Sequence, residues 1–182
     1  PVHLLLLSGS PNRISVKHSA QSVILNAMLN GYKIESATLD DLPELAELLF
    51  DLFTQESDFA PDHAKQMRGL QLILEEPSRG RVFVLRHGPR IIGMINLLIT
   101  ISTAEGGFVL MLEDLVIHRD HRGQGYGGKL LEYALEYARK KHFLRITLLS
   151  DFTEKQARKF YAHHGFHESD MIPMRLRFLD KK

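Results

Sequence analysis

The chain has 182 residues, enough for one well-buried domain and a short appendage but not for two full domains. A formal net charge of +1 argues against the broad basic surface of a nucleic-acid binder, though not against a local cationic pocket. The absence of cysteine excludes disulfides, thiolate metal sites and a cysteine nucleophile, and it fits a cytoplasmic protein.

Taken in order, residues 2–7 read as a short buried strand, 8–12 as a turn and 15–30 as a helix closed by Gly31. The apolar run Leu4-Leu5-Leu6-Leu7 is too short for a signal-peptide core or a membrane span, so the expectation is a soluble protein. Residues 33–38 predict a strand. Asp40 is placed to cap the next helix, with Pro43 in its first turn and Leu42, Leu45, Ala46, Leu49, Leu52 and Phe53 as its buried stripe. Residues 54–61 read as a loop and 62–75 as a second helix, ending before Pro77. Strands follow at 81–86 and 90–100 around the turn His87-Gly88-Pro89, and a third at 108–117. Residues 129–142 form an amphipathic helix with Leu130, Leu131, Ala134, Leu135 and Ala138 on one face. A strand at 143–149, a helix at 153–164 stopped by Gly165 and a last strand at 171–178 complete the pattern.

Between the third of those strands and the amphipathic helix lies His121-Arg122-Gly123-Gln124-Gly125-Tyr126-Gly127-Gly128. Its glycines let the backbone turn sharply into a helix start, where free N–H groups and the positive end of the helix dipole favour an anion. A phosphate or pyrophosphate suits such a place, and Arg122 adds a charged fork for its oxygens. Read as Gly123-x-Gly125-x-x-Gly128, the loop matches the dinucleotide fingerprint of Rossmann domains, with Asp151 placed for the ribose. That fingerprint needs repeated parallel βαβ units and sits in the immediate βα turn. Here an antiparallel meander precedes the loop and residues 119–122 intervene, so the element order decides against it.

Read as Arg122-x-x-Gly125-x-Gly127, the same loop resembles the pyrophosphate loop of the GNAT superfamily of N-acetyltransferases. Two further stretches carry that resemblance: Leu112-Glu113-Asp114-Leu115-Val116-Ile117-His118, similar to the family's fourth strand, and Ala157-Arg158-Lys159-Phe160-Tyr161-Ala162-His163-His164-Gly165-Phe166, similar to its last-helix signature. The implied fold is α/β (α+β): a mixed, mostly antiparallel central sheet flanked by helices, spanning residues 32–182. Residues 1–31 would be an extra N-terminal βα unit. Within it, Leu4-Leu5-Leu6-Leu7-Ser8-Gly9-Ser10-Pro11-Asn12-Arg13 resembles the opening strand and phosphate loop of flavodoxin-like FMN reductases. One βα unit cannot bury its own apolar faces, so it reads as an extension packed on the main domain or on a partner subunit.

The resemblance implies acetyl-CoA as co-substrate and direct attack of a primary amine on its thioester. The backbone at Leu115, Val116 and Ile117 would hydrogen-bond the pantetheine arm, and Arg122, Gly123, Gln124, Gly125, Tyr126, Gly127 and Gly128 would hold the pyrophosphate. Glu113 and Asp114 are the candidate bases. Adjacent strand residues point to opposite faces, so one of the two is expected to face the amine. In the similar polyamine acetyltransferases the glutamate is implicated, so Glu113 is preferred. Tyr161 matches the family's tyrosine that protonates the departing thiolate; the alternative is that it and Phe160 are core residues. Glu154 stands where the family often has an asparagine that contacts the cofactor arm.

His163, His164 and His167 straddle a helix end and lack cysteine or a convincing carboxylate partner, and they and the pair His118, His121 read as surface or core histidines, so no metal is expected. The run Arg139-Lys140-Lys141 suits a helix C-terminus and implies no anionic partner. No nucleic-acid or membrane partner is expected. Asp51, Glu56, Asp58 and Asp62 favour a small cationic amine among acceptors that include peptide amines, although a solvated helix face explains them equally well. Many relatives are dimers, which leaves a homodimer open. A catalytically silent acyl-CoA-binding or regulatory domain is the alternative to an enzyme.

Overall fold

The computed structural model describes residues 31–54, 60–150 and 154–178. The N-terminal unit expected at residues 1–31 lies almost entirely outside them. The elements are β1 (Tyr32–Ser36), α1 (Leu42–Phe53), α2 (His63–Leu74), β2 (Gly80–His87), β3 (Arg90–Ser102), β4 (Gly107–Ile117), α3 (Tyr126–Lys140), β5 (Ile146–Leu148) and α4 (Lys155–His163). The five strands form one sheet in chain order. The first four pair antiparallel, while β5 runs parallel to β4. This is the mostly antiparallel, helix-flanked sheet that the sequence implies.

Two apolar cores cover the two faces. Beneath α3 and α4, Leu130, Leu131, Ala134 and Tyr161 pack on Phe83, Ile95, Leu112 and Leu115. On the other face, Leu45, Leu48, Leu49 and Leu52 of α1 and Leu70 of α2 pack on Val84, Met94 and Val116. Leu48 thus joins the expected α1 stripe, while Leu42 and Phe53 are only partly buried at its margin.

The entry to α1 differs from the expected cap at Asp40. A short 3-10 turn precedes the helix, and the carboxylate of Asp41 accepts hydrogen bonds from the Thr38 N–H (2.9 Å) and hydroxyl (3.3 Å). Asp41 also accepts from Arg86 Nη2 at 2.7 Å, and Arg86 Nε donates to Glu35 at 2.6 Å, tying the entry to β1 and β2. Burial pushes the Asp41 carboxyl up, but Arg86 and Thr38 outweigh it and hold the group below its usual range.

Two features of the sheet position the site. Strand β5 pairs with β4 only from Leu110 to Leu112, so β4 runs on to Ile117 with no strand on that side among the described residues. A bulge also interrupts the β3–β4 ladder: Asn96 faces Asp114 and Leu97 faces Leu112, leaving Glu113 as the extra residue.

The predicted strand at 171–178 is absent from the sheet. Among the described residues that stretch has no strand pairing, and its large apolar side chains are exposed. Alternation alone does not make a strand; a paired edge is also required.

Close packing between β2 and β3 gives a direct test. A Cβ at Gly80 would meet the Leu97 carbonyl oxygen at 2.5 Å, whereas one at Gly69, in α2, would meet nothing within 4 Å. Gly80→Ala is therefore expected to lower stability by roughly 1–3 kcal/mol. Gly69→Ala should raise it by about 0.5–1 kcal/mol. Urea denaturation of both variants checks the contrast.

Candidate active site

The site is built along the unpaired length of β4 and the loop that follows it. Leu112 and Leu115 are three residues apart, yet both lie in the core beneath α3. The bulge has broken the alternation, with Glu113 and Asp114 as the two residues between them. The expectation that adjacent carboxylates diverge to opposite faces assumes a regular strand, which the bulge interrupts here.

Glu113 is half-buried, while Asp114 is only 5% exposed. Asn96 Nδ2 donates to Asp114 Oδ2 at 2.9 Å. Because the donor end of the amide must face the carboxylate, Oδ1 of Asn96 points elsewhere, and it is buried without a partner. Burial raises the Asp114 carboxyl to about 6; the Asn96 hydrogen bond opposes that rise and the neighbouring Glu113 charge adds to it.

Tyr161, on α4, packs as a core residue, 3% exposed, with its ring edge-on to Phe160 (5.2 Å) and Phe166 (5.6 Å). Its hydroxyl, however, has no hydrogen-bond partner. A purely structural buried tyrosine normally finds one. Burial, with the Asp114 charge, pushes its pKa well up, so the phenol keeps its proton at neutral pH.

Beyond Ile117 comes a 3-10 turn, Arg119–His121, and then Arg122. Arg122 Nε donates to the Ile117 carbonyl at 2.9 Å, which fixes the guanidinium at the end of β4. Its Nη2 is buried and unpartnered, a donor with nothing to donate to. Burial lowers the guanidinium's pKa, and the Asp51 charge opposes that. Gly123 and Gly125 have φ of +73° and +79°, a region that side chains disfavour, and Gly125 caps α3 without any side-chain hydrogen bond. At this start Lys129 N–H bonds back to the Gly125 carbonyl at 3.2 Å. The N–H groups of Tyr126, Gly127 and Gly128 belong to the first turn, which has no intrahelical acceptor. Gln124 is exposed, whereas Tyr126 is buried against Tyr32.

The side chains of Leu115, Val116 and Ile117 are all buried, so only their backbone can serve a ligand. Glu154 is the N-terminal boundary residue of α4 and is exposed. Asp62 caps α2 by accepting from Lys65 N–H at 3.1 Å, which gives it a structural use, while Glu56 and Asp58 lie outside the described residues. Asp51 lines a cavity of about 610 Å³ together with Glu44, Glu47, Arg90, His118, Arg119 and His121. Arg139 and Lys140 pair with Glu136 at 3.8 and 3.5 Å. Among the described residues no group of three or more His, Asp or Glu could hold a metal, and no helix is long and apolar enough to cross a membrane.

Sequence reasoning missed Asn96. Its one signal was a lone amide inside the apolar run Ile91-Ile92-Gly93-Met94-Ile95-Asn96-Leu97-Leu98, and its partner became visible only with the strand register.

With this geometry in place, the sequence matches the acetyltransferase (GNAT) family over residues 42–166, and the chain belongs to that family. It is an acyltransferase, from a family that uses acetyl-CoA as co-substrate. The chain is 26% identical over 155 residues to an uncharacterised N-acetyltransferase of Methanocaldococcus jannaschii, covering 85% of this chain and 69% of that protein. It is 26% identical over 137 residues to an aminoalkylphosphonate N-acetyltransferase of Salmonella typhimurium, covering 75% and 86%. In fold it is similar to a possible acetyltransferase from Clostridium difficile 630, with a TM-score of 0.75 at 17% identity over 82% of this chain and 99% of that one. A metagenomic aminoglycoside acetyltransferase, solved with sisomicin, gives a TM-score of 0.67 at 21% identity, covering 84% and 99%.

Asp114 also carries a pH prediction. An unfolded aspartate titrates near 3.9, below the folded value of about 6. The folded state therefore holds the extra proton between those values, and this group's contribution to stability is lost as pH rises through that window. Asp114→Asn should be more stable than wild type at pH 8, on the order of 2–3 kcal/mol. The gain should vanish near pH 4. Denaturation at the two pH values reads the difference directly.

Proposed function

We propose that this chain transfers the acetyl group of acetyl-CoA to the nitrogen of a primary amine by direct attack. The observation that carries the reading is the set of unsatisfied groups along one path. Among the described residues, the edge of β4 past Leu112 has no strand beside it, Nη2 of Arg122 is buried without a partner and the N–H groups opening α3 have no intrahelical acceptor; together they fit a pantetheine arm that ends in a pyrophosphate. In this reading, backbone groups of Leu115, Val116 and Ile117 bind the pantetheine arm. Arg122 and the N–H groups of Gly123, Gln124, Gly125, Tyr126, Gly127 and Gly128 bind the pyrophosphate.

An ammonium with a pKa near 10.4 must lose its proton first, at a cost of roughly 4–5 kcal/mol at pH 7. Glu113 takes that proton, directly or through a water. The nitrogen lone pair forms the new C–N bond, the C–S bond breaks, Tyr161 gives its hydroxyl proton to the departing sulfur, and the second proton that the nitrogen loses restores the phenol by way of solvent. Asp114 and Asn96 hold the bulge that presents Glu113.

A small cationic amine is the favoured acceptor. Support comes from Glu44, Glu47, Asp51 and Asp120, which line the cavity beside the loop along with Arg90 and Arg119, and from relatives named for aminoalkylphosphonates and aminoglycosides. Residues 32–182 form the acetyltransferase domain in this reading, residues 1–31 an extension of it, and the cysteine-free composition suits the cytoplasm.

Titration calorimetry should show saturable binding of acetyl-CoA, and an amine screen should yield turnover. Glu113→Gln is expected to lower kcat by about 10²- to 10⁴-fold. Tyr161→Phe should lower kcat at unchanged acetyl-CoA affinity. Binding without turnover on any amine would favour a silent acyl-CoA-binding domain. Unchanged rates in both variants would remove Glu113 and Tyr161 from the mechanism.

A further inference from the structure

Asn96 is a polar residue in a place that suits an apolar one. It stands in the run Ile91-Ile92-Gly93-Met94-Ile95-Asn96-Leu97-Leu98, is 3% exposed, and has Ile95 and Leu97 of the core on either side. A leucine there would bury apolar surface and leave no polar atom behind. The asparagine leaves Oδ1 buried without a partner, a penalty that packing alone does not explain. Its Nδ2 makes one bond, to Asp114 Oδ2 at 2.9 Å.

That bond falls at the bulge. Asn96 and Asp114 are register partners, and Glu113, the residue before Asp114, opposes nothing on β3. Leu112 and Leu115, both in the core, fix where the bulge lies. The polar bond fixes how Asp114 is turned and, through the peptide they share, how Glu113 is turned. An N–H donated to a carboxylate makes a bond roughly twice as strong as one to a neutral acceptor. The tie is therefore firm while Asp114 is ionised and weakens when it takes a proton. Burial favours the neutral form of Asp114, and the Asn96 bond favours the charged one. Among the described residues, the titratable groups in its field are Glu113 on its own strand and Tyr161 from α4. Asn96, from β3, adds no charge.

We propose that Asn96 is a positioning residue for acetyl transfer: it holds the ionised Asp114 across the bulge and so aims Glu113 at the acceptor amine. The inference rests on Glu113 as the base, as proposed above. Asn96 acts through Asp114 alone, and it leaves the acetyl-CoA contacts to other residues. Glu113 is held in place above the titration of Asp114, at about 6, and loosened below it.

The pH profile of kcat separates this role from a structural one. At pH 8, Asn96→Leu should lower kcat by about 10- to 100-fold, the effect of a misplaced group, with KM for acetyl-CoA unchanged. Below about pH 5 the two rates should converge, because wild type has lost the tie as well. Asn96→Val is the smaller replacement should the leucine overpack. Asn96→Leu combined with Asp114→Asn should be no slower than the slower single variant, since both break one link. Carbon NMR of the Asp114 carboxyl needs no substrate, and in Asn96→Leu its titration should move up by about one to two pH units. A loss of kcat that is equal at every pH, losses that add in the double variant, or an unmoved Asp114 titration would each overturn the role of Asn96. A wild type that acetylates no amine would instead fault the transfer reading, and the positioning role with it.

Discussion

The structure depends on one mismatch of strand lengths. β4 is hydrogen-bonded to β3 along its whole course, but β5 accompanies it for only three residues. Past Leu112 no strand among the described residues satisfies the polar backbone on the β5 side of β4, although the side chains of Asp114 to Ile117 are buried. A sheet closed to its end would leave no room for an extended ligand. The parting of β4 from β5 provides that room, and the apolar cores on both faces make it rigid.

The polar side chains follow the same line. Among the described residues, five buried side-chain atoms lack a partner, on Gln66, Asn96, Arg122, Ser150 and Tyr161. Four of these lie on β3 or on segments that follow β4: Asn96 opposite the bulge, Arg122 after β4, Ser150 just past β5, and Tyr161 on α4. Buried polar groups in folded proteins are nearly always paired, so an accumulation of exceptions in one place marks a site built for something else. Asp114 belongs with them, since a buried carboxylate with Asn96 as its hydrogen-bond donor is held far from its ordinary titration. The core supports these groups at a cost that a ligand would offset.

Much of this was legible in the sequence, because local pattern and tertiary environment agree. The stripe of α1, the meander and the glycine loop were each set by periodicity or by backbone demands that the sequence states directly. The bulge was not, since it depends on how many residues of β4 oppose β3. Without it, Glu113 and Asp114 seemed bound to diverge, and Asn96 had no visible partner. The boundary residue of α1 is Asp41 instead of Asp40, and its carboxylate is held by Thr38 of the turn just before it and by Arg86 from a distant part of the chain. The stretch 171–178 has the alternation of a strand, but pairing is a property of two segments, and the sequence shows one at a time.

Amide hydrogen exchange of the full chain, with and without acetyl-CoA, tests the central claim most directly. If the parted edge of β4 and the start of α3 form the acyl-CoA site, protection should rise at residues 113–117 and 122–129 and change little in α1 and α2. Protection confined to the cavity between Glu44, Asp51 and His118, or none anywhere, would contradict it.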